Sequence, residues 1–542
     1  GWMAVSTLVP KRYWVFGLCI LGLAASLAAL AWHWAWVVPA LAFGGLTGLG
    51  VRDLTQSRQS VRRNYPVLAH MRYLLESIGP EIRQYFIESD TEERPFSREQ
   101  RSVVYQRAKN QLDKRPFGTL LDLYDDGAEW MSHSLTPSDP DPETFRITIG
   151  GNRAQPYSAS VLNISAMSFG SLSPNAVTAL NRGAARGNFY HDTGEGGVSR
   201  YHRDAGGDLV WEIGTGYFGC RDATGQFDPE QFAATAADPQ IRMIEIKLSQ
   251  GAKPGHGGIL PGAKVTPEIA AARGVPVGED VLSPAAHSAF HTPLELVDFV
   301  DRLRELAGGK PVGIKLAIGH PHEWFAIVKA MMARDRTVDF VVVDGGEGGT
   351  GAAPLELINR LGMPLDDALL LVHNTLVGCG LREHIRIGAA GKITSAFKMA
   401  RTMALGADWC NSGRGFMFAL GCIQSLSCHT DKCPSGVATQ DPWRNRSLDP
   451  TDKAERVYQF HRNTVAALGS LLASAGLNHP QELGPRHLIR RTGGTETITY
   501  QDYYPHLRPR QLQEETVNRS PFADDWPRAQ AESFKPLQEA VA

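Results

Sequence analysis

The sequence has almost no net charge, because 55 lysines and arginines stand against 57 aspartates and glutamates, a formal balance of -2. A protein that grips nucleic acid by its phosphates needs a basic surface, so the composition does not indicate nucleic-acid binding. Disorder is excluded as well, since 43% of the residues are hydrophobic, as in chains that fold. The length of 542 residues leaves room for one large domain with appendages.

Two common nucleotide-binding signatures are missing. No G-x-G-x-x-G fingerprint follows a first strand, and Gly391-Lys392 is followed by Ile393, where a phosphate-binding P-loop needs Ser or Thr. These absences exclude a pyridine-dinucleotide site of the usual kind and a nucleotide triphosphatase.

Cysteine is scarce, with seven residues in the whole chain, and three of them are crowded into the stretch from Cys422 to Cys433. A secreted disulfide framework would spread its cysteines more evenly. The crowding therefore indicates metal ligation.

Formal charge is absent from a long stretch near the N-terminus, where no Asp, Glu, Lys or Arg occurs between Tyr13 and Val51. One membrane-spanning helix needs only about 20 apolar residues. Trp32, Trp34 and Trp36 cluster near the midpoint of the stretch, as interfacial tryptophans do where a chain turns. We therefore predict an N-terminal membrane anchor over residues 1–53, with transmembrane helices at about 14–31 and 34–51.

The flanking charges predict how this anchor is oriented. The basic residues that precede and follow the two spans are Lys11, Arg12, Arg52, Arg58, Arg62 and Arg63. Basic flanks stay on the cytoplasmic side, so we expect a protein of the cytoplasmic membrane whose catalytic domain faces the cytoplasm. The alternative is a secretory signal with Ala29-Leu30-Ala31 as its cleavage site, but it leaves the second apolar run unexplained.

The pattern of charged and apolar residues changes twice along the remaining chain. Charged, amphipathic spacing indicates a helical connector over residues 54–144. From about Phe145, short apolar runs end in glycine-rich loops and precede alanine-rich helical stretches. The strand candidates are Ser160–Ile164, Met243–Ile246, Val312–Leu316, Phe340–Val343 and His384–Ile387.

This order of strand, loop and helix predicts an α/β fold, a TIM (β/α)8 barrel over residues 145–476 with its chemistry in the loops that follow the strands. An open doubly wound sheet is the structural rival. A C-terminal extension over residues 477–542 is polar and rich in proline, and its end from Arg510 onward is predicted to be a poorly constrained tail.

The crowded cysteines are spaced C-x5-C-x4-C, and Pro434 follows the last of them directly. Three thiolates in one loop suit soft ligation of an iron-sulfur cluster or of zinc. Zinc would need a fourth ligand, which His429 could supply as a structural Cys3His site. A proline after the terminal cysteine also occurs in bacterial ferredoxins, so spacing alone leaves both metals open.

Five ordered motifs together resemble the synthase domain of glutamate synthases. The stretch from Gly421 to Gln440 is similar to the loop that holds a 3Fe-4S cluster on three cysteines in that family. The other four are Ser165-Ala-Met-Ser-Phe-Gly-Ser171, Thr193-Gly-Glu-Gly-Gly197, Lys247-Leu-Ser-Gln-Gly-Ala-Lys-Pro-Gly255 and Asp344-Gly-Gly-Glu-Gly-Gly-Thr-Gly-Ala-Ala-Pro354. The resemblance implies an FMN- and iron-sulfur-dependent flavoprotein, with Cys422, Cys428 and Cys433 as the metal ligands.

The glycine-rich loops are the candidate FMN site. In TIM barrels, the loops after strands seven and eight commonly hold a phosphate, and glycines let backbone N–H groups approach it. The resemblance implies that Lys315 stabilises the reduced ring, as a cation near its N1 and C2 carbonyl does. The full candidate set is Ser165, Met167, Ser168, Lys315, Gly345, Gly346, Gly349, Thr350, Gly351, Gly391, Gly413, Arg414 and Gly415. Any one of these glycines taken alone is as well explained by a plain turn.

The resemblance also implies the catalytic residues Glu195, Gln250 and Lys253. In the family, 2-oxoglutarate plus ammonia gives an imino acid that is reduced to glutamate, which makes the predicted activity that of an oxidoreductase acting on CH-NH2 donors in glutamate biosynthesis. A carboxylate manages protons in such a step, and a cation holds the substrate carboxylate.

The match departs from the family beside these residues. Members usually read Pro-Gly-Glu-Gly-Gly-Gln-Leu-Pro-Gly, whereas His256 and Ile259 stand here in place of the glutamate and the glutamine. Isoleucine cannot hydrogen-bond a carboxylate. An alternative substrate, another imino or amino acid handled with the same cofactors, is therefore kept open.

The glutamine amidotransferase domain, the C-terminal β-helix and the pyridine-nucleotide site of complete glutamate synthases have no counterpart in this sequence. The chain is thus expected not to hydrolyse glutamine or oxidise NADPH by itself. We expect it to receive electrons from a donor protein or a membrane redox partner such as quinone. A membrane-associated electron carrier without amino-acid chemistry is the non-catalytic alternative.

Overall fold

The computed structural model describes residues 10–92 and 94–538. The chain divides into two compact units, Gly1–Glu99 and Gln100–Ala542.

The first unit is helical in the residues described. Short 3-10 turns at Lys11–Tyr13 and Trp34–Trp36 precede the first two helices. The helices are α1 (Trp14–Ala29), α2 (Val37–Thr55), α3 (Ser60–Asn64) and α4 (Leu68–Ile82), followed by a π-helical turn at Arg83–Ile87.

The two predicted apolar helices are confirmed, with bounds that differ by a few residues. Each is long and apolar enough to cross a membrane, with mean hydropathies of 1.6 over Lys11–Ala29 and 1.5 over Trp34–Thr55. They pack closely, since a Cβ at Gly22 would stand 2.7 Å from the Phe43 ring. Only 11% of each apolar window is buried, so most of this apolar surface faces outward.

One buried carboxylate closes the end of this hairpin. Asp53, at the C-terminal end of α2, accepts a hydrogen bond from the Val67 N–H at 2.9 Å and contacts His70 Nε2 at 2.9 Å. The start of α4 is thereby tied to the end of α2.

The second unit is a closed barrel of parallel strands, which confirms the predicted TIM architecture. The eight strands are β1 (Leu162–Ile164), β2 (His191–Asp192), β3 (Leu209–Ile213), β4 (Ile241–Lys247), β5 (Val312–Leu316), β6 (Phe340–Asp344), β7 (Arg386–Ala390) and β8 (Trp409–Ser412). β8 pairs with β1 through Asn411 and Asn163, and this pairing closes the cylinder.

The sequence located five of these strands and missed three. The candidate at Val312–Leu316 has the observed bounds, whereas the one at His384–Ile387 lies early, because the strand runs from Arg386 to Ala390. β2 and β8 were missed because they are short and contain polar residues. β3 was missed because Glu212, its fourth residue, interrupts the apolar run.

Helices alternate with the strands as a (β/α)8 fold requires. α5 (Arg98–Ala108) begins just before the boundary of the two units. The helices that follow are α6 (Pro174–Gly187), α7 (Arg200–Arg203), α8 (Pro229–Ala236), α9 (Pro267–Arg273), α10 (Pro293–Leu306), α11 (Pro321–Arg334), α12 (Leu355–Arg360), α13 (Leu365–Gly378), α14 (Ala396–Ala404), α15 (Arg414–Ala419), α16 (Pro442–Arg446), α17 (Pro450–Ser474), α18 (Tyr500–Tyr503) and α19 (Gln511–Glu514).

Caps set the starts of many of these helices. Ser173 accepts the Ala176 N–H in front of α6, and Thr292 accepts the Glu295 N–H in front of α10. In both helices proline occupies the first turn, where its missing N–H costs no hydrogen bond.

An antiparallel hairpin, Arg146–Ile149 paired with Tyr157–Ser160, lies at the N-terminal end of the barrel. Its apolar side chains form one cluster with residues that point into the barrel. The cluster consists of Ile147, Ile149, Tyr157, Ala159, Tyr190, Val210, Met243, Phe340, Val342 and Trp409. This apolar plug fills the bottom of the barrel and leaves the opposite end for chemistry.

The predicted loose tail is wrong for the residues described. Phe522 is buried, and Lys329 on α11 donates from Nζ to the carbonyls of Trp526 at 2.6 Å and Ala529 at 2.8 Å. The physical reason is that the few apolar residues of this polar segment pack on α11, where Phe522 and Trp526 meet Phe325.

The C-terminal extension also contains two strands, Leu488–Gly493 and Glu496–Thr499. They form a three-stranded sheet with Glu129–Met131.

Candidate active site at the mouth of the barrel

Each glycine-rich motif of the sequence begins at the C-terminal end of a barrel strand. The first residues after β1, β2, β4, β6 and β8 are Ser165, Thr193, Leu248, Gly345 and Gly413. Parallel strands of a closed barrel end on one rim, so the fold brings these loops together. Backbone bonds join them directly, from Ser165 N to Ser412 O at 3.0 Å and from Gly345 N to Ala390 O at 2.9 Å.

Glu195 lies in the loop after β2 and is surrounded by cations. Its Oε2 is 3.3 Å from Lys247 Nζ at the end of β4. Burial alone would raise the pKa of the Glu195 carboxyl, but Lys247, Arg273 and Lys253 outweigh burial and hold that pKa below its ordinary value. The carboxylate therefore stays ionised at neutral pH.

Gly258 shows how tightly this carboxylate is held. A Cβ at Gly258 would overlap Glu195 Oε1, so a larger residue there would displace the end of the Glu195 side chain. Ile259, where the family has glutamine, follows at once in a short strand that pairs with Val281–Leu282.

Lys253 is the second predicted catalytic residue and is buried at the rim. Its Nζ donates to Ala352 O at 2.9 Å, which joins the loop after β4 to the loop after β6. Burial and the neighbouring Lys247 lower the pKa of Lys253 to about 8, although Glu195 opposes them. Its ammonium is thus unusually ready to lose a proton.

Gln250 is half-buried in the same loop after β4. The next N–H, that of Gly251, donates to Asp344 Oδ2 at 3.0 Å. A Cβ at Gly251 would overlap Gly345 O, so glycine is required where these two loops touch.

Lys315, at the end of β5, points into the barrel and is buried. Its Nζ lies 3.3 Å from Glu212 Oε2 on β3. Burial would lower the pKa of Lys315, but Glu212, Asp344, Glu245 and Asp192 outweigh burial and raise it above its ordinary value.

The loop that opens at Asp344 is built from glycines and contacts Arg414. Arg414 Nη2 donates to Glu347 O at 2.8 Å, and a Cβ at Gly349 would stand 2.8 Å from the Arg414 Cδ. Burial lowers the pKa of Arg414 to about 10, against the pull of Asp344 and Glu347. Gly346 donates to Met363 O at 2.8 Å, and the Thr350 hydroxyl points toward Ala352 O at 3.5 Å.

The two candidate phosphate loops follow β7 and β8. Gly388 to Ala390 belong to β7 and Asn411 to Ser412 belong to β8, so Gly391 and Gly413 are the first loop residues. Gly391 has φ 151°, a conformation that side chains with a Cβ rarely adopt. Gly415 lies in the first turn of α15, against Ser412.

The loop after β1 borders the same space. Met167 Sδ would be 3.8 Å from a Cβ at Gly413, and Ser165 Cβ would be 3.7 Å from it. Ser168 donates from Oγ to Ser171 Oγ at 3.3 Å.

The three clustered cysteines lie in one loop after α15 and are free thiols. Burial, together with Cys428 and Cys433, raises the pKa of Cys422 to about 12, so the thiols lie close enough to influence one another. Burial also acts on Cys433, but the Ser435 side chain and the N–H groups of Ala438, Ser435 and Val437 outweigh it and lower the Cys433 pKa.

This cysteine loop packs on the loop after β1. Ser173 N donates to Val437 O at 2.8 Å, and Gln440 Nε2 donates to Gly170 O at 3.0 Å and Leu172 O at 2.7 Å. Lys264 Nζ donates to Ser171 O at 2.9 Å, with Cys428 and Cys433 within its electrostatic reach. The thiols and the candidate FMN loops thus share one end of the barrel.

The open backbone at this rim is suited to a flat, phosphorylated cofactor. A Cβ at Gly351 would meet nothing within 4 Å, and one at Gly413 would meet nothing closer than 3.7 Å. Three thiols with N–H groups directed at the Cys433 sulfur are likewise a donor set suited to a soft metal or an iron-sulfur cluster.

Sequence reasoning missed several charged residues of this region. Asp192, Glu212 and Glu245 line the barrel below the rim, and Lys247 and Arg273 accompany Glu195. The sequence did contain a signal for two of them, because Glu212 and Glu245 are charged residues between apolar neighbours that are buried in strands. A buried ionisable residue needs a partner.

A closed (β/α)8 barrel with ionisable side chains and glycine-rich loops on one rim is the architecture of a barrel enzyme. The conserved region of glutamate synthase matches residues 140–478 of this chain. The glutamate synthase large subunit-like protein YerD of Bacillus subtilis is 38% identical over 483 residues, covering 81% of this chain and 91% of that protein. The chain therefore belongs to the glutamate synthase family, whose members are oxidoreductases.

Other relatives share less of the chain. The archaeal-type glutamate synthase (NADPH) of Thermotoga neapolitana is 36% identical over 330 residues, which cover 60% of this chain and 62% of that protein. The archaeal glutamate synthase (NADPH) of Methanocaldococcus jannaschii is 36% identical over 335 residues, with 61% and 62% covered. The match thus spans about three fifths of these enzymes.

Among solved structures, a mandelate oxidase variant with 2-hydroxy-phenylacetamide matches at 15% identity and a TM-score of 0.40, covering 80% of this chain and 98% of that one. A flavocytochrome b2 variant with pyruvate bound matches at 11% identity and a TM-score of 0.40, with 78% and 85% covered.

Proposed function

We propose that this chain is an FMN- and iron-sulfur-dependent oxidoreductase that reduces 2-iminoglutarate, formed from 2-oxoglutarate and ammonia, to glutamate with electrons from a partner. The observation that carries this proposal is the group of cations around Glu195, namely Lys247, Lys253 and Arg273.

Charge counting explains why this group favours a dicarboxylate. Three cations face one carboxylate, so the rim carries excess positive charge in a poorly hydrated place. Opposite charges attract more strongly where water is excluded. A substrate with two carboxylates would neutralise that excess, whereas a neutral substrate would leave it.

Three residues at the rim would have different roles in such a reduction. Lys253 would hold a substrate carboxylate while charged, and its pKa of about 8 also lets it exchange a proton near neutral pH. Glu195, ionised and fixed by Lys247, would orient the ammonium-derived nitrogen. Gln250, in the same loop, would add a neutral hydrogen-bonding group.

FMN is the cofactor that the open rim fits, and when bound it supplies hydride chemistry to the substrate carbon. We assign its phosphate to the backbone at Gly391, Gly413 and Gly415, with Arg414 beside them. Two loops and the Lys315 ammonium would hold the ring. The residues of these loops are Ser165, Met167, Ser168, Gly345, Gly346, Gly349, Thr350 and Gly351.

We assign a 3Fe-4S cluster to Cys422, Cys428 and Cys433. N–H groups directed at sulfur stabilise thiolates, and those at Cys433 support this assignment. The three cysteines would hold the cluster beside the rim, where it would supply one-electron transfer between the barrel and a donor protein or a membrane redox partner.

The two apolar helices support a membrane anchor over residues 1–53, joined by the connector 54–144 to the catalytic barrel 145–476 and the extension 477–542. Basic residues on both flanks favour a cytoplasmic location of the barrel. Carbonate extraction of isolated membranes tests the anchor, because an integral protein stays in the pellet.

The function itself is tested by anaerobic reoxidation of the photoreduced, membrane-extracted holoprotein. Fast flavin reoxidation by 2-oxoglutarate plus ammonia, with glutamate formed in equal amount, is the expected result. Lys253→Met should slow it strongly, whereas Val277→Gln, at an exposed position, should not. If no 2-oxo acid with ammonia reoxidises the flavin, the proposal is wrong and the protein is an electron carrier without amino-acid chemistry.

Ile259 favours a second candidate, a different imino acid handled with the same cofactors. It stands in a half-buried position directly after Gly258, which touches Glu195. Faster reoxidation by an uncharged 2-oxo acid plus ammonia than by 2-oxoglutarate would support this candidate, and Ile259→Gln should then shift the preference toward 2-oxoglutarate.

A further inference from the structure

The inside of the barrel contains a charged layer above the apolar plug. It consists of Asp192 on β2, Glu212 on β3, Glu245 on β4 and Lys315 on β5, which all point inward. The exposed fraction is at most 6% for each of them. One carboxylate oxygen from each acid lies within 4.8 Å of the others.

Strand register explains how these residues come to lie at one level. Glu212 is paired with Glu245 across β3 and β4, and Val210 with Met243 one layer below. Side chains two apart on a strand share a face, so Val210 and Met243 belong to the plug while Glu212 and Glu245 form the floor of the rim.

Charge balance is the difficulty in this layer. Three ionised carboxylates against one ammonium would leave two uncompensated negative charges away from water. An isolated buried carboxylate is so costly that it takes up a proton instead, and carboxyls that share a site do not all ionise together.

The hydrogen bonds indicate which carboxyls lack a compensating partner. Glu212 is paired with Lys315, at 3.3 Å. Within the described part of the chain, both carboxylate oxygens of Glu245 and the Oδ2 of Asp192 are buried without a hydrogen-bond donor. Asp192 Oδ1 accepts the Gly194 N–H at 2.9 Å, directly before Glu195.

A metal ion is a poor occupant for this group because a cation is already there. Lys315 Nζ lies against Glu212, and an added divalent ion would face that ammonium at close range. A proton between two carboxyls needs no such space. It gives a hydrogen bond to two of the three oxygens that lack a donor and reduces the uncompensated charge from two to one.

We propose that the layer formed by Asp192, Glu212, Glu245 and Lys315 is a proton store, in which Asp192 and Glu245 share one proton that leaves or returns as the charge at the rim changes. The sharing follows from two carboxyls that have oxygens within 4.8 Å of each other and lack donors. The link to the rim follows from Asp192, which accepts the Gly194 N–H directly before Glu195. The store deepens the proposed function, since reduction of an imine consumes protons as well as electrons.

The groups around the shared proton raise or lower the pKa values of Asp192 and Glu245. Burial and then Glu212 raise the pKa of Asp192 to about 7, whereas Lys315 opposes them. Burial, Asp192 and Glu212 raise the pKa of Glu245. The pKa of the buried Tyr190 is raised by burial first and then by Glu245 and Asp192, so Tyr190 stays neutral.

Infrared pH-difference spectroscopy of the oxidised holoprotein tests the proposal without any substrate. We expect the carbonyl stretch of a protonated carboxyl that shifts in D2O and loses intensity as the pH rises through about 7. Asp192→Asn and Glu245→Gln should each remove or shift this band, whereas Glu305→Gln, at an exposed position of α10, should leave it.

The wild-type titration keeps the test decisive if a variant does not fold. The absence of any D2O-sensitive carboxyl band that titrates between about pH 6 and about pH 8 would overturn the proposal. So would a divalent metal found in stoichiometric amount whose removal creates the band. Because the band needs no substrate, its loss is distinct from a failure of flavin reoxidation by 2-oxoglutarate and ammonia.

Discussion

The two units of this chain place apolar and charged side chains in opposite ways. In residues 10–92 and 94–99, large apolar side chains face outward, with Trp32 86% and Leu41 72% exposed, and Asp53 is buried. In the second unit, the apolar side chains fill the barrel and a charged layer lies among them. The difference teaches that a buried charge is stabilised by a hydrogen-bonding or oppositely charged partner, as Asp53 is by His70 and Glu212 by Lys315, and that a large exposed apolar surface marks a site of interaction with a partner or a membrane.

The apolar plug of the barrel should give the largest effect on stability. Trp409 is fully buried, and its Nε1 donates to Tyr190 Oη at 3.0 Å. Trp409→Ala should lower the free energy of unfolding by about 3–5 kcal/mol, because it leaves a cavity. Trp443→Ala is the matched control, since Trp443 is 77% exposed. Equal shifts in thermal unfolding would contradict the assignment of the plug.

The outward-facing apolar helices should give the next largest effect, on membrane insertion. Leu41→Arg places a charge on the exposed face of α2, which costs about 2.5–3.5 kcal/mol in a membrane centre. We expect much of the protein to leave the membrane fraction, while Leu41→Phe should remain there. If Leu41→Arg protein still resists carbonate extraction, this face does not meet lipid.

The charges at the rim should produce a pH dependence of substrate binding. With a pKa of about 8, Lys253 is charged below that pH and neutral above it. The KM for 2-oxoglutarate should therefore rise as the pH passes about 8, by up to about tenfold per unit, while KM stays flat below. Lys253→Arg, which keeps its charge, should move the rise to higher pH. A KM profile that Lys253→Arg leaves unchanged would remove Lys253 from substrate binding.

The buried carboxylate of the first unit should give the smallest effect. His70→Ala removes one partner of Asp53 but leaves the Val67 N–H bond, so we expect a loss of about 1 kcal/mol, confined to the junction of α2 and α4. Hydrogen exchange at the Val67 amide measures it. Arg72→Ala, on the exposed face of α4 where Arg72 pairs with Glu76, should leave that exchange rate unchanged.

The strength of the sequence prediction differed between elements for physical reasons. β5 was located to the residue, because Val312, Ile314 and Leu316 alternate in a short stretch with glycines before and after it. β2 consists of His191 and Asp192 alone, and no local pattern distinguishes two polar residues in a strand from a loop. The tail was misjudged because Phe522 and Trp526 pack on α11, a contact that composition does not reveal.

For the candidate site, the motifs indicated which loops matter but not how their charges combine. Glu195 and Lys253 stood out within glycine-rich stretches, whereas Arg273 lies on α9, outside all five motifs. The charged layer is composed of residues from four different strands, and only the register of a closed barrel brings them to one level.

By itself, the sequence determined the alternation of strands and helices, the two apolar helices and the positions of the glycines and cysteines, because each depends on residues that are close along the chain. The tertiary structure alone decided which ionisable groups meet, since β2 and β5 are separated by more than a hundred residues and become neighbours in the barrel interior through closure of the sheet. The energy of interaction between charges depends on their distance in space, so the electrostatics of the rim and of the layer beneath it follow from the tertiary structure.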